Sequence, residues 1–463
     1  MKNSEEETYR DIVSTVDEVG KRKWIYAHKP SGTLYNCRKY LSYVYLVLLV
    51  IVPFIKMNGN PLFLFDLVHG KFIVFGKLFL PQDFILFGLA MLTFLLFIIV
   101  FTLAYGRIFC GWVCPQTIFM EMVFRRIEYF IEGSASQQMR VNKGAWTTEI
   151  LLKKILKHVI FFLVSFLIAN IFLSYVIGVD ALFQIISEPV KNHLAGFLAI
   201  LLFSVVFYIV FAHVRELVCT VVCPYGRLQS VLLDKNSIVV AYNYLRGEPR
   251  ARESRSRVDT AGDCIDCGLC VQVCPTGIDI RNGTQMECTN CTACIDACNL
   301  MMKKTGRAQD LILFTSENNI KESSRPKFTY RMAIYSFFLL VLLALMSFLL
   351  LERKSLDITV MRVSGQILQT NQDGTISNLY RMKIVNTSAV PQVINFHIDV
   401  PSAELLFIGN QLDTIKVGHS SEEMFFIKRL KNDIKIRKED IRLSVSGNGK
   451  LLYKKKIAFI GFN

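Results

Sequence analysis

No cysteine occurs beyond Cys298; all 13 in the chain lie between Cys37 and Cys298. The C-terminal part therefore has no disulfide framework, and the thiols elsewhere, grouped at two- and three-residue intervals, are spaced as ligands rather than as staples. The haem-attachment run C-x-x-C-H is missing, which excludes covalent haem. Also missing are the phosphate loop G-x-x-x-x-G-K-[ST] and a G-x-G-x-x-G turn before a helix, so nucleotide or flavin binding of those types is excluded. No cleavable secretion signal is expected, because residues 1–39 are polar and the first apolar run starts too late.

What the chain has in excess is apolar surface: 52% of residues are hydrophobic and the mean hydropathy is +0.37, too high for an ordinary soluble protein. Five runs approach the roughly 20 apolar residues that cross a bilayer: Tyr40–Ile55, Phe84–Ala104, His158–Gly178, Leu194–Val214 and Ala333–Leu351. Leu62–Leu80 is apolar too, but Asp66, Lys71 and Lys77 interrupt it, and a charge at mid-bilayer costs a few kcal/mol. It is expected to form an extracytoplasmic hairpin or an interfacial segment. Lys21, Arg22, Lys23, Lys29, Arg38 and Lys39 precede the first run, and Arg107, Arg125, Arg126, Arg140, Lys143, Lys153, Lys154 and Lys157 follow the second. Only Lys56, Lys71 and Lys77 separate the first two runs, and Lys191 stands alone between the third and fourth. Retention of positive flanks inside then places the N-terminus in the cytoplasm and everything after about residue 352 outside it. The net charge of +15 is accounted for by these cations at an anionic lipid surface, without nucleic acid.

The sequence divides into a cytoplasmic N-terminal tail (1–39), partly disordered or laid on the membrane; a four-span bundle (40–245); a linker and ferredoxin-like region (246–325); a fifth span (326–352); and an extracytoplasmic β-domain (353–463). The bundle carries a repeat. Its second span runs into Ala-Tyr-Gly-Arg-Ile-Phe-Cys110-Gly-Trp-Val-Cys114-Pro115 and its fourth into Arg215-Glu-Leu-Val-Cys219-Thr-Val-Val-Cys223-Pro224. The same C-x-x-x-C-P thus recurs at one membrane face, as in duplicated halves that build a shared site. Arg246, Arg250, Arg252 and Arg255 form a basic linker suited to lipid headgroups. After residue 356, runs such as Leu379–Val385, Val393–Val400, Glu423–Ile427 and Ile441–Val445 alternate with turn signals at Asn371–Gly374 and Gly447–Gly449. About seven strands over roughly 105 residues predict an immunoglobulin-like sandwich. Without cysteine or clustered acids and histidines, it is assigned docking rather than chemistry.

Two consecutive cysteine runs carry the strongest chemical signal: Cys264, Cys267, Cys270 and Cys274, then Cys288, Cys291, Cys294 and Cys298, each C-x-x-C-x-x-C-x-x-x-C. The tight spacing wraps a loop around three irons of a [4Fe–4S] cubane, and the fourth cysteine of each run reaches the other cluster. By that rule one cluster takes Cys264, Cys267, Cys270 and Cys298, the other Cys274, Cys288, Cys291 and Cys294. Zinc would instead favour two C-x-x-C pairs set further apart. Asn299 stands where proline usually follows the fourth cysteine, and is expected to loosen the turn around the first cluster without removing a ligand. If the C-x-x-x-C motifs are helical, Cys110 with Cys114 and Cys219 with Cys223 each share a face. Such soft pairs suit Cu(I), or the four together a third iron–sulfur cluster; the alternative is that they are simply small buried apolar residues. His158 and His213 lie near span ends, where they either face headgroups or supplement a metal or quinone site. Cys37 stands alone.

These features together resemble the CcoG (FixG, RdxA) family of cytochrome oxidase accessory proteins over nearly the whole chain, including the Arg246-Gly-Glu-Pro-Arg250 stretch. The resemblance implies a multi-domain membrane protein of five spans with a dicluster ferredoxin-like insertion and a C-terminal immunoglobulin-like sandwich. It implies a place in a bacterial inner membrane, with the clusters cytoplasmic and the β-domain periplasmic. It implies reduction of Cu(II) to Cu(I) for assembly of cbb-type oxidases, with two [4Fe–4S] clusters on the eight cysteines and copper or redox roles for Cys110, Cys114, Cys219 and Cys223. The partners implied are membrane lipid, oxidase assembly factors or a copper transporter or chaperone, and an electron donor that is either a quinol or a cytoplasmic reductant. Monomer and homodimer are both open. Two other readings stand beside this one: a quinol dehydrogenase subunit of the nitrate or nitrous-oxide respiration type, and a non-enzymatic redox-sensing scaffold.

Overall fold

The computed structural model describes residues 15–16, 21–57, 59–67, 70–79, 83–144, 146–252, 261–322, 330–352, 356–363, 369–371, 374–386, 388, 390–409, 414–416, 419–434, 438–447 and 450–461. The tail before residue 15, Arg255 of the linker and the turn residues 372–373 and 448–449 lie outside them. The chain forms two compact units, one of Met1–Val50, Gly88–Leu173 and Phe183–Leu345, the other of Ile51–Phe87, Ser174–Leu182 and Met346–Asn463.

Among the described residues, five helical stretches are long and apolar enough to cross a membrane; they contain α1 (Thr33–Ile51), α2 (Phe84–Tyr105), α3 (Thr148–Ile177), α4 (Leu194–Ile209), which continues to Val214, and α5 (Tyr330–Leu351). Most of their apolar side chains are exposed, as expected where lipid is the solvent. Two of the helices, α1 and α3, start seven or more residues earlier than hydropathy predicts. The first turn of α1 is capped from a distance, the amides of Leu34 and Tyr35 donating to the Asp296 carboxylate at 3.2 and 2.7 Å. An acid at a helix N-terminus satisfies orphan N–H groups and complements the dipole. The α3 helix begins ahead of its apolar stretch because Lys153 pairs with Glu149 at 2.5 Å one turn earlier, so a charged sequence stays helical.

Ahead of α1, residues 21–32 are docked rather than loose. The His28 amide donates to the Gln272 carbonyl at 2.8 Å, and Arg22 pairs with Glu216 at 3.0 Å. In the other unit, the interrupted apolar segment is a three-stranded antiparallel sheet of β1 (Phe63–Asp66), β2 (Lys71–Val74) and β3 (Lys77–Phe79). Asp66 faces Lys71 across the ladder, so the charges that break the hydropathy form a cross-strand pair.

The ferredoxin-like region is closed at its base by β4 (Val239–Tyr242) pairing antiparallel with β5 (Ile312–Thr315). Val240, Ile278, Ile280, Ile295, Met302 and Leu311 pack around the thiols there. The C-terminal domain has two antiparallel sheets. One contains β6 (Leu356–Arg362), β7 (Gln369–Thr370), β8 (Thr375–Asn386), β10 (Ala403–Phe407) and β12 (Ser420–Leu430); the other contains β9 (Gln392–Ile398), β11 (Thr414–Ile415), β13 (Lys438–Gly447) and β14 (Lys450–Ile460). Alternate residues Tyr380, Met382 and Ile384 of β8 and Ile441, Leu443 and Val445 of β13 join one core, the period-two signature of strands with one buried face. The Tyr380 hydroxyl donates to the Ala458 carbonyl at 2.8 Å, tying β8 to β14 of the other sheet. The strand count exceeds the expected seven because the two-residue strands β7 and β11 carry almost no periodicity.

Candidate iron–sulfur and thiol site

The two cysteine runs fold into matching loops. Asp266 and Gly268 in the first, and Asn290 and Thr292 in the second, have positive φ at equivalent places in C-x-x-C-x-x-C. Alternating handedness turns consecutive amides toward one side of a loop, which suits electron-rich sulfur. Backbone amides accordingly donate to thiols: Thr276 and Ile278 to Cys274, Asn290 to Cys288, and Ile312 to Cys298.

Cys264, Cys267, Cys270 and Cys298 line one small cavity. Cys274, Cys288, Cys291 and Cys294 line another, to which Cys270 also contributes. Among the described residues no three His, Cys, Asp or Glu side chains converge as one metal ion requires. Tetrahedral zinc would draw four sulfurs to about 2.3 Å from a single point. The thiols here stand around a space instead, as the corners of a cubane need, so the donor set fits iron–sulfur clusters. Burial pushes the thiols of Cys270, Cys288 and Cys298 up to about 12, so each keeps its proton until iron displaces it.

Three features escaped the sequence reading. Arg281 grips Asp279 through two nitrogens at 2.9 and 2.7 Å and reaches Asp266 at 2.5 Å, fastening the first loop beside Cys270. Asn299 clamps what it was expected to loosen: its Nδ2 donates to Asp310 at 3.2 Å and its Oδ1 accepts the Asp310 amide at 2.8 Å. The helix Ala293–Lys304 then runs on unbroken past Cys298. Arg246 is likewise not offered to lipid; it pairs with Asp263 at 2.8 Å and donates to the carbonyls of Ala308 and Gln309 at 2.7 and 2.9 Å.

The C-x-x-x-C-P motifs are not helical faces. Cys110 belongs to the short helix Ile108–Trp112, whereas Cys114 is extended (φ −57°, ψ 124°) and precedes a new helix at Pro115. Cys219 sits in the π-turn Val218–Val222 and Cys223 is extended before Pro224. Each proline pushes its preceding cysteine out of the α region, so both motifs make a thiol-bearing corner. The four thiols influence one another electrostatically and so form one group. Burial raises Cys110, opposed by the Arg107 guanidinium, and pushes Cys219 up to about 12. The Cys110 thiol donates to Gln229 Oε1 at 3.0 Å, and Gln229 is itself held by Thr102 and Tyr225.

This group touches the second cysteine loop. A Cβ on Gly111 would lie 2.5 Å from the Thr289 carbonyl oxygen and 2.9 Å from Cys291 N and Cα; one on Gly106 would lie 2.9 Å from Asn290 Nδ2. Arg107 donates to the Met286 carbonyl, and its charge reaches both Cys110 and Cys288. Cys219, Thr276 and Thr289 line one small cavity together with Arg215 and Glu216. Beneath it runs a buried ionic chain: Arg215 grips Glu128 at 2.5 and 2.9 Å, Arg125 pairs with Glu121 at 3.0 Å, and Lys157 pairs with Glu132 at 2.7 Å. Arg107, Arg125 and Lys157, expected at the cytoplasmic membrane face, have buried side chains. Trp24 carries the guanidinium groups of Arg22 and Arg215 over its ring, at 4.5 and 4.7 Å. His158 is hydrogen-bonded to Tyr208 at 2.9 Å and stacks near His213, while Cys37 is exposed.

Membrane-spanning helices, paired thiol-lined loops and a β-sandwich define a membrane-bound iron–sulfur electron-transfer protein. Family models agree with each part: a 4Fe-4S dicluster domain matches residues 214–317, a 4Fe-4S binding domain 87–131, and the IG-like fold at the C-terminal of FixG 346–461. Protein RdxA of Cereibacter sphaeroides is 30% identical over 81% of this chain and 82% of its own length. The nitrogen fixation protein FixG of Rhizobium meliloti is 30% identical over 84% and 82%, and Protein RdxB of Cereibacter sphaeroides 30% over 79% and 80%. The chain belongs to the FixG/RdxA family.

Proposed function

We propose that the protein is a cupric reductase of a bacterial inner membrane that supplies Cu(I) for assembly of cbb-type cytochrome oxidase. The N-terminus and cluster loops face the cytoplasm in this reading, and the β-domain docks assembly or copper-handling proteins outside. Cys264, Cys267, Cys270 and Cys298 hold one [4Fe–4S] cluster and Cys274, Cys288, Cys291 and Cys294 the other. Bound clusters supply reversible one-electron storage. The observation that carries the proposal is the seating of Gly106 and Gly111 on the second cysteine loop, which sets four soft thiols beside an electron source.

Cys110, Cys114, Cys219 and Cys223 bind the copper substrate. Thiolates favour Cu(I) over Cu(II), so binding there makes the one-electron reduction more favourable. Arg107 offsets part of the negative charge that accumulates as the thiols ionise. The test is the fourfold Cys→Ala variant at these positions. Cu(II) reduction by protein that has been reduced with dithionite and freed of the excess should fall at least tenfold while iron stays at about eight per chain; unchanged reduction overturns the assignment. A second reading, a third cluster on the same thiols, is favoured by the 4Fe-4S binding model over residues 87–131. It predicts about twelve irons in the parent and about eight in the variant.

A further inference from the structure

Beside the buried ionic chain, a cleft of about 610 Å³ opens along α3, with Tyr208 of α4 at its wall, within the usual volume of a small-molecule site. Trp146, Lys154, His158, Phe162, Leu163 and Tyr208 line it. Its walls are almost wholly apolar and aromatic, and Leu163 is 59% exposed on a helix that meets lipid. One polar pair is set into that wall, the Tyr208 hydroxyl on His158 Nδ1 at 2.9 Å. Lys154 closes one end, with its ammonium 4.5 Å from the Trp146 ring centroid.

We infer that this cleft binds a membrane quinol and is where electrons enter, which rests on the electron-transfer role proposed above. An acyl chain would need only the apolar walls. A quinol has a flat ring that packs on Phe162 and Trp146, oxygens that need a hydrogen-bonding partner such as Tyr208 and His158, and a hydrocarbon tail that leaves past Leu163 into the bilayer. The position serves the chemistry. His158 follows Lys157, whose ammonium is 2.7 Å from Glu132 and 3.9 Å from Glu128. Glu128 in turn holds Arg215, which lines the cavity shared with Cys219, Thr276 and Thr289. Each quinol loses two O–H hydrogens as its two C–O bonds become C=O. The two protons pass to the Tyr208–His158 pair and from there to solvent. The two electrons pass singly to the iron–sulfur centres, so one quinol reduces two cupric ions to cuprous.

The test uses the full chain in phosphatidylcholine nanodiscs. Decylubiquinone should quench tryptophan fluorescence saturably, and Leu163→Trp, which fills the cleft, and Tyr208→Phe should each raise its Kd at least tenfold. Copper reduction driven by decylubiquinol, divided by that of the same preparation reduced with dithionite and freed of the excess, should fall at least tenfold in both variants. Quinone affinity and this ratio unmoved by either variant would overturn the site. So would displacement of the quinone by added phosphatidylcholine alone, which would make the cleft an acyl-lipid groove. Absence of copper reduction by the dithionite-reduced parent, freed of the excess, would instead remove the cupric reductase reading and leave quinone binding standing.

Discussion

Gly111 carries more of the proposed function than any single non-cysteine residue, because it has no side chain where Thr289 and Cys291 press closest. Gly111→Ala must push rigid backbone apart, at a cost of about 1–3 kcal/mol. Copper reduction by the dithionite-reduced protein, freed of the excess, should slow at least tenfold in that variant with its iron content kept. Arg281 makes a different kind of contribution, a forked grip on Asp279 plus a reach to Asp266. Lysine cannot reproduce that fork, so Arg281→Lys should release iron to a chelator several times faster than the parent. Glu128 is an acid whose burial opposes its charge but whose Arg215 partner outweighs that cost, holding its pKa below the ordinary carboxylate range. A depressed folded value means the pair stabilises the protein fully above the unfolded pKa of about 4.3 and is lost as pH falls through the folded value. Glu128→Gln leaves Arg215 buried with only its longer 3.5 Å contact to Glu216 and should cost about 2–3 kcal/mol at neutral pH, below the full penalty of an unpaired buried charge. Thermal unfolding followed from pH 7 downward should show the parent's acid-sensitive step and its absence in the variant.

Among the elements, the helix Ala293–Lys304 shows how a local exception becomes structure. Asn299 lies inside it and bonds Asp310 on both sides of its amide. Asn299→Pro removes an interior N–H and forces a clash one turn back, at about 3 kcal/mol. The signal of the cluster on Cys298 should broaden or vanish in electron paramagnetic resonance while the other persists; two unaltered signals would contradict the clamp. The same element explains what the sequence could and could not disclose. Cysteine spacing was enough to expect Cys298 with the first run, and its side chain lines the same cavity as Cys264, Cys267 and Cys270. The cap that Asp296 puts on α1, the seat of Gly111 and the burial of Lys157 beside Glu132 join residues far apart in sequence, and no local pattern encodes them. The helical reading of C-x-x-x-C failed for a legible reason: Pro115 and Pro224 already forbid α geometry at Cys114 and Cys223. Hydropathy located all five spanning helices but not their ends, since capping and ion pairs set those.

At the scale of the whole molecule, the cysteines and the β-sandwich occupy different stretches of chain. The β-domain has its own core, with Tyr380, Phe425 and Phe459 fully buried, and residues 353–463 expressed alone should fold as a soluble, iron-free β-protein with cooperative thermal unfolding. The converse fragment, 1–352, should retain its iron in membranes. Everything proposed for thiols, copper and quinol presupposes that the eight cysteines from Cys264 to Cys298 enclose two cubanes. Iron, acid-labile sulfide and zinc determined on anaerobically purified full-length protein, with electron paramagnetic resonance after dithionite reduction, address this most directly. The account predicts at least about eight irons and as many sulfides per chain, with interacting signals from two reduced clusters. Stoichiometric zinc without labile sulfide would contradict it.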